Sequence, residues 1–202
     1  MKKKQLEIIL QKIPTFTKPI VELEQYQTPA EIAADIIFIA YQLGDIKDKT
    51  VIDLGCGTGI FSIGAKIMGA KKVIGVDIEK NCLKIARKYA REKKLKITFI
   101  NKDVKDIKTK CDTVLMNPPF GAQNSNKKAD RRFIEKGFEI ACVIYSLHLS
   151  KTVAFIEKMV KSLNGEINLE KQYIFPLKNI YDFHEKKVLN YNICLLRILT
   201  KK

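Results

Sequence analysis

What this chain lacks narrows it before any motif is read. No stretch of its 202 residues approaches the ~18 consecutive apolar positions that a membrane-crossing helix needs. The N-terminal Met1-Lys2-Lys3-Lys4-Gln5 leads into an amphipathic stretch rather than the apolar core of a secretion signal. The expectation is a soluble intracellular protein of the cytoplasm. Five cysteines (Cys56, Cys82, Cys111, Cys142 and Cys194) include no C-x-x-C pair and are odd in number, which argues against a disulfide framework or a zinc site in this chain. Internal repeats and low-complexity linkers are absent too. At this length one well-buried domain spanning 1–202 is expected.

Arginine is scarce as well. Only Arg87, Arg91, Arg131, Arg132 and Arg197 stand among 37 basic residues, so the formal net charge of +15 is carried by lysine spread along the chain. Such a charge favours a polyanionic partner, nucleic acid foremost. Lysine with abundant isoleucine also follows from genomic base composition or a warm habitat.

What is present is an alternation. Short apolar runs at 50–54, 72–77, 96–100, 113–116 and 143–147 read as strands, and helical patterns fill 60–68, 79–93, 129–141 and 151–162 between them. Strand and helix in turn imply an α/β fold, with right-handed crossovers and a parallel sheet covered on both faces. The runs 166–175 and 188–199 follow one another without a helix, so they are expected to pair antiparallel at one edge, joined by a functional loop over 176–187. Near the other end, Thr28-Pro29 reads as N-cap and first residue of a helix running to about Leu43, where Gly44 stops it.

Two loops carry chemistry. After the first strand comes Asp53-Leu54-Gly55-Cys56-Gly57-Thr58-Gly59-Ile60. Glycines at alternate positions let a backbone approach a ligand at the strand end, where open α/β sheets bind nucleotides. A dinucleotide fingerprint needs a small residue where Ile60 stands, and a pyrophosphate would meet Asp53 badly. S-adenosylmethionine has a sulfonium, an ammonium and an adenosine but no phosphate, and it fits. Asp77, ending the second strand, suits the two ribose hydroxyls, and Asp103, beyond the third, suits an adenine amino group. The second loop, Asn117-Pro118-Pro119-Phe120, ends the fourth strand because two prolines forbid its continuation. A carboxamide, a free carbonyl and an aromatic ring there suit a planar ring with an exocyclic amino group.

In this order the motifs resemble the seven-stranded, Rossmann-like S-adenosylmethionine-dependent methyltransferases. The stretches 23–29, 53–59, 116–121, 145–148 and 183–187 are similar to the small methyltransferase-like proteins that modify adenine N6 in small-subunit ribosomal RNA. The resemblance implies a mostly parallel seven-stranded sheet with an antiparallel C-terminal hairpin. It further implies that 1–28 covers the cofactor, with Gln25, Tyr26 and Thr28 closing over it. Gly55, Gly57, Thr58, Gly59, Ile60, Asp77, Ile78, Asp103, Val104 and Asn117 would contact it or line its pocket beside Asp53. Asn117 and Pro118 would hold the target amino group, and Phe120, next to Pro119, would stack on the base. Lys127, Lys128, Arg131, Arg132, His148, His184, Lys186 and Lys187 would meet the RNA. Relatives work with a small zinc-binding activator protein, for which the runs around Val73, Ile97 and Phe99 would offer a sheet edge. Two further readings stay open: a protein glutamine methyltransferase, which shares Asn-Pro-Pro, and a noncatalytic RNA-binding subunit on the same scaffold.

Overall fold

A computed structural model describes residues 1–16, 26–120, 129–178 and 188–201. Apolar runs too short for helices and punctuated by glycine form strands β1 (Thr50–Leu54), β2 (Lys72–Asp77), β3 (Thr98–Asn101), β4 (Cys111–Met116) and β5 (Ala141–Leu149), all parallel. The long strands β6 (Gly165–Lys178) and β7 (Val188–Thr200) pair antiparallel, and β7 closes onto β5. The sheet order is β3-β2-β1-β4-β5-β7-β6, the expected seven-stranded Rossmann-like arrangement with its hairpin at one edge.

Successive residues of each strand face opposite layers. Val51, Val73, Leu115, Tyr145 and Leu195 pack beneath helices α1 (Lys3–Leu10), α2 (Ala30–Gln42) and α3 (Ile60–Ile67). Ile52, Val76, Val114, Met116 and Leu196 pack on the other face, with Ile134 of α5 (Ala129–Ile140) and Ile156 of α6 (Val153–Ser162). Helix α4 (Lys80–Glu92) sets Leu83, Ala86 and Ala90 against Phe99 of the edge strand β3. Among the described residues, no helix is long and apolar enough to cross a membrane.

Four expectations are corrected. Helix α2 begins at Ala30 with Pro29 in extended backbone as its cap, so Thr28 lies outside the helix and caps nothing. Strand β6 runs on through Pro176 to Lys178, paired with 188–190, so the expected loop starts later and its residues 179–187 lie outside the described ones. Pro176 is accommodated because β6 is the sheet's outer strand and need offer no N–H there. Helix α1 is part of the core, with Leu6 and Leu10 fully buried, so the first ten residues pack against α2 and α3 rather than cover a ligand. Val73 lies in β2, inside the sheet and 1 % exposed; the edge strand on that side is β3, whose pairing begins only at Thr98.

Candidate active site

The functional rim lies where β1 and β4 end side by side. Asp53 pairs in register with Leu115, so Asp53 and Asn117, two residues past Leu115 as β4 ends, lie on the same face of adjacent strands. Asp53 is buried, and its Oδ2 accepts hydrogen bonds from the backbone N–H and the hydroxyl of Ser62 in α3, at 2.8 and 2.7 Å. Its other oxygen, Oδ1, is buried with no partner. Burial raises the Asp53 carboxyl to about 7, the two Ser62 bonds opposing and the nearby Asp77 charge assisting.

The glycine turn hangs on β2: the N–H groups of Gly55 and Cys56 both donate to the Val76 carbonyl at 2.9 Å. Gly57 and Gly59 hold φ of 52° and 88°, in the left-handed region that disfavours side chains. The turn is walled by Phe16 from the N-terminal segment, whose ring would meet a Cβ on Gly57 at 3.2 Å, and by Phe133 of α5, which would meet one on Gly55 at 3.1 Å. The Thr58 hydroxyl is buried and unpartnered, while Ile60 turns into the core.

Asp77 is built into the turn. Its Oδ2 accepts from the Gly57 N–H at 2.7 Å and its Oδ1 from the Glu79 N–H at 2.8 Å, leaving each oxygen one further lone pair. Burial raises this carboxyl as well. Beside it Ile78 stands 57 % exposed, with Val104 half-buried. Asp103 caps the turn 104–106 through the Lys105 N–H at 3.0 Å.

Asn117 donates from Nδ2 to the Thr28 hydroxyl at 3.1 Å, and its Oδ1 is buried and unpartnered. Thr28 is therefore the link between the N-terminal segment and the amide, with the partly buried Tyr26 packed against the core nearby in sequence. Pro118 is buried and Pro119 half-buried. The Phe120 ring is 9 % exposed and meets Phe175 of β6 edge-to-face at 5.8 Å. This corrects the expected stacking: the long hairpin brings Phe175 to the rim, and Phe120 is a wall there rather than an open platform.

A second correction concerns His148. Ser146 pairs with Met116, so strand alternation puts Ser146 and His148 on the α5 face, opposite Asn117, and His148 is fully buried. It cannot touch a substrate. Arg132 is exposed, and Arg131 is exposed but paired to Glu135 at 2.8 Å. Gln25, Lys127, Lys128, His184, Lys186 and Lys187 lie outside the described residues. Sequence reasoning missed Ser62, Phe16, Phe133 and Gln27, whose Oε1 is buried without a partner next to Thr28. Only tertiary contact distinguishes them from ordinary core or loop residues.

Among the described residues six buried side-chain atoms lack a hydrogen-bond partner: Gln27 Oε1, Asp53 Oδ1, Thr58 Oγ1, Asn117 Oδ1, Asp130 Oδ1 and His148 Nδ1. Four of them belong to the glycine turn and the segments around Asn117. Buried polar atoms are normally satisfied, so this concentration marks a place built to receive polar groups. The buried Asp53 carboxyl, hydroxyl and amide acceptors, a glycine-lined turn and an exposed Ile78 fit a cationic nucleoside-amino-acid. The fold and the rim together define an S-adenosylmethionine-dependent methyltransferase.

The particular family follows from known proteins. The Methyltransferase small domain family matches residues 34–140. The rRNA N(6)-adenosine-methyltransferase METTL5 of Danio rerio is 35 % identical over 98 % of this chain and 98 % of its own length. A crystal structure described as a candidate RNA methyltransferase from Pyrococcus horikoshii superposes with a TM-score of 0.93 at 37 % identity, covering 100 % of this chain and 99 % of that one. A Methanocaldococcus jannaschii protein provisionally named a protein N5-glutamine methyltransferase is 30 % identical over 78 % of this chain and 83 % of its own. This chain belongs to the small-domain methyltransferases and to the same family as the METTL5 proteins.

Proposed function

We propose that this protein methylates the N6 amino group of an adenine in RNA, with small-subunit ribosomal RNA in the cytoplasm as its substrate. The observation that carries the reading is the Asn117 amide, whose Oδ1 is buried and unpartnered while its Nδ2 is tied back to Thr28. Relatives similar over the whole chain, named for rRNA adenosine N6, point the same way, as does the net charge of +15.

S-adenosylmethionine, when bound, supplies a methyl group already activated by a sulfonium. Gly55, Gly57, Thr58 and Asp53 would hold its amino-acid end, Asp77 its ribose, and Ile78, Asp103 and Val104 its adenine. An aromatic amino group is a poor nucleophile because its lone pair is delocalised into the ring. Accepting its two N–H groups on Asn117 Oδ1 and the Pro118 carbonyl would orient the nitrogen and localise that lone pair. With Nδ2 engaged by the Thr28 hydroxyl, Asn117 presents Oδ1 as the acceptor toward the substrate. Positioning supplies most of the rate, and the proton leaves afterwards to water. The adenine must be unpaired or flipped to reach the rim.

Asn117→Ala should lower methyl transfer to RNA by about 10²–10³-fold while cofactor binding changes little. Retained transfer in a labelled-cofactor assay removes Asn117 from the chemistry. The N5-glutamine reading is favoured by the archaeal relative so named, but it leaves the basic charge without a use. Label appearing in a protein fraction rather than in rRNA would establish it.

We also assign Lys127, Lys128, Arg131, Arg132, His184, Lys186 and Lys187 to RNA contact, and a zinc-binding activator protein to the β3 edge. There an open groove of about 420 Å³ is floored by Ala90, Leu95, Ile97 and Phe99 and rimmed by Arg87, Arg91, Lys94 and Lys96. Coexpression followed by gel filtration tests this assignment. Separate elution of the two proteins removes it.

A further inference from the structure

The proposed chemistry uses four of the six unpartnered buried atoms or their neighbours and leaves two, His148 Nδ1 and Asp130 Oδ1, facing each other at 3.4 Å. His148 is fully buried on β5, and Asp130 lies in the first turn of α5 with its side chain 17 % exposed. The other ring nitrogen, Nε2, lies 2.7 Å from the hydroxyl of Ser146, itself fully buried.

The proton positions follow from this arrangement. If Nε2 carried the proton and donated to Ser146, the Nδ1 lone pair would face a carboxylate oxygen in a buried place, with no donor between them. With the Ser146 hydroxyl donating to Nε2, Nδ1 carries the proton and stands 3.4 Å from Asp130 Oδ1, an electrostatic contact rather than a formed hydrogen bond. The imidazole then links strand to helix, one nitrogen accepting from Ser146 and the other turned to the carboxylate.

The position of the bridge gives it a use. Ser146 pairs with Met116, the residue immediately before Asn117, so His148 stands on β5 beside the place where the chain leaves β4. Asp130 stands where the chain enters α5, after residues 121–128. One turn further, Phe133 packs over Gly55 of the cofactor turn. The start of α5 is therefore tied through His148 to the strand beside the end of β4 and packs through Phe133 on the glycine turn, and among the contacts described for Asp130 its polar tie to the sheet is His148.

We infer that Ser146, His148 and Asp130 form a buried clasp that positions the first turn of α5, and through it the Asn-Pro-Pro-Phe loop and the glycine turn. His148 and Asp130 are positioning residues, touching neither substrate nor cofactor. The effect on rate rests on the methyltransferase reading above; the clasp itself does not.

Two measurements separate the two claims. The chain has only two histidines, His148 and His184, so imidazole ¹⁵N spectra of the full chain are readily assigned with a His184→Ala control. The clasp requires His148 to carry its proton on Nδ1 and to lose that proton's protection from exchange in Asp130→Asn. A proton on Nε2, or a His148 spectrum unmoved by Asp130→Asn, overturns the inference whether or not the protein is active. In single-turnover methylation of rRNA at saturating cofactor, Asp130→Asn and His148→Gln should each slow transfer about tenfold, and the double variant should be no slower. Asp130→Asn is isosteric and partly exposed, so its melting temperature should stay near that of the parent and it keeps the test valid if His148→Gln does not fold. Losses that multiply, or a rate unmoved by Asp130→Asn, overturn the positioning role. If the unsubstituted chain methylates no RNA, the functional reading fails and the spectra still judge the clasp.

Discussion

The buried carboxyl of Asp53 makes cofactor affinity depend on pH in a direction and size that the structure supplies. Burial raises this group to about 7 from 3.8, against the two hydrogen bonds from Ser62. A cationic ligand beside the unpartnered Oδ1 is favoured only by the ionised form, so the proton must leave as the ligand enters. If the protonated site binds weakly, affinity should fall about tenfold from pH ~8 to pH ~6, about 1.4 kcal/mol, and level off above pH ~8. Calorimetry of S-adenosylmethionine binding in two buffers of different ionisation enthalpy should then count nearly one proton released at pH ~6. Asp53→Asn should bind weakly and without pH dependence. The same group sets a stability slope. Because its folded value lies above its unfolded one, the folded chain holds the proton more tightly, and stability falls as pH rises between about 4 and about 7. The full penalty is on the order of 4 kcal/mol, so Asp53→Asn should melt higher than the parent at pH ~8 and not at pH ~4. A pH-independent affinity in the parent, or no proton release, refutes the assignment of Asp53 to the cation.

Other perturbations test the scaffold around the rim. Thr28→Val removes the hydroxyl that holds Asn117 Nδ2 and should slow transfer about fivefold, roughly 1 kcal/mol; a single-turnover rate equal to the parent's excludes that link. Gly75→Ala would place a methyl 2.7 Å from the Phe99 ring and 2.8 Å from the Ser62 hydroxyl, costing about 1–3 kcal/mol in chemical denaturation and loosening the hold on Asp53; unchanged stability shows the ring can yield. Asp45 accepts from the Tyr145 hydroxyl at 2.6 Å and from Arg197 at 2.8 and 3.2 Å. Asp45→Ala should destabilise by about 3 kcal/mol in chemical denaturation, and a loss below about 1 kcal/mol in the same titration removes that network from the account.

How far the sequence reaches is best seen by comparing Asn117 with His148. Both lie at strand ends, but Asn117 is read from its own local chemistry and His148 only from the resemblance. Asn117 was legible because prolines after an apolar run must end a strand, and the glycine turn because an αL backbone selects glycine; both signals are local. The parallel strands were legible for the same reason, since buried runs between helical patterns leave few other arrangements. His148 was misplaced because its role depends on parity within β5 and on the register of β5 against β4, which put it on the α5 face. No neighbouring residue encodes that register. Thr28 carries the same lesson in reverse: local chemistry makes Thr-Pro an N-cap, yet its hydroxyl is taken by an amide 89 positions along the chain. Ser62, Phe16 and Phe133 gave no local signal, being an ordinary helical serine and two ordinary phenylalanines until tertiary packing brings them to Asp53, Gly57 and Gly55. Residues that meet ligands must present their chemistry at strand ends, where turn-forming residues announce them. Those that hold them in place act through packing on the faces of the sheet, and only the register selects which ones they are.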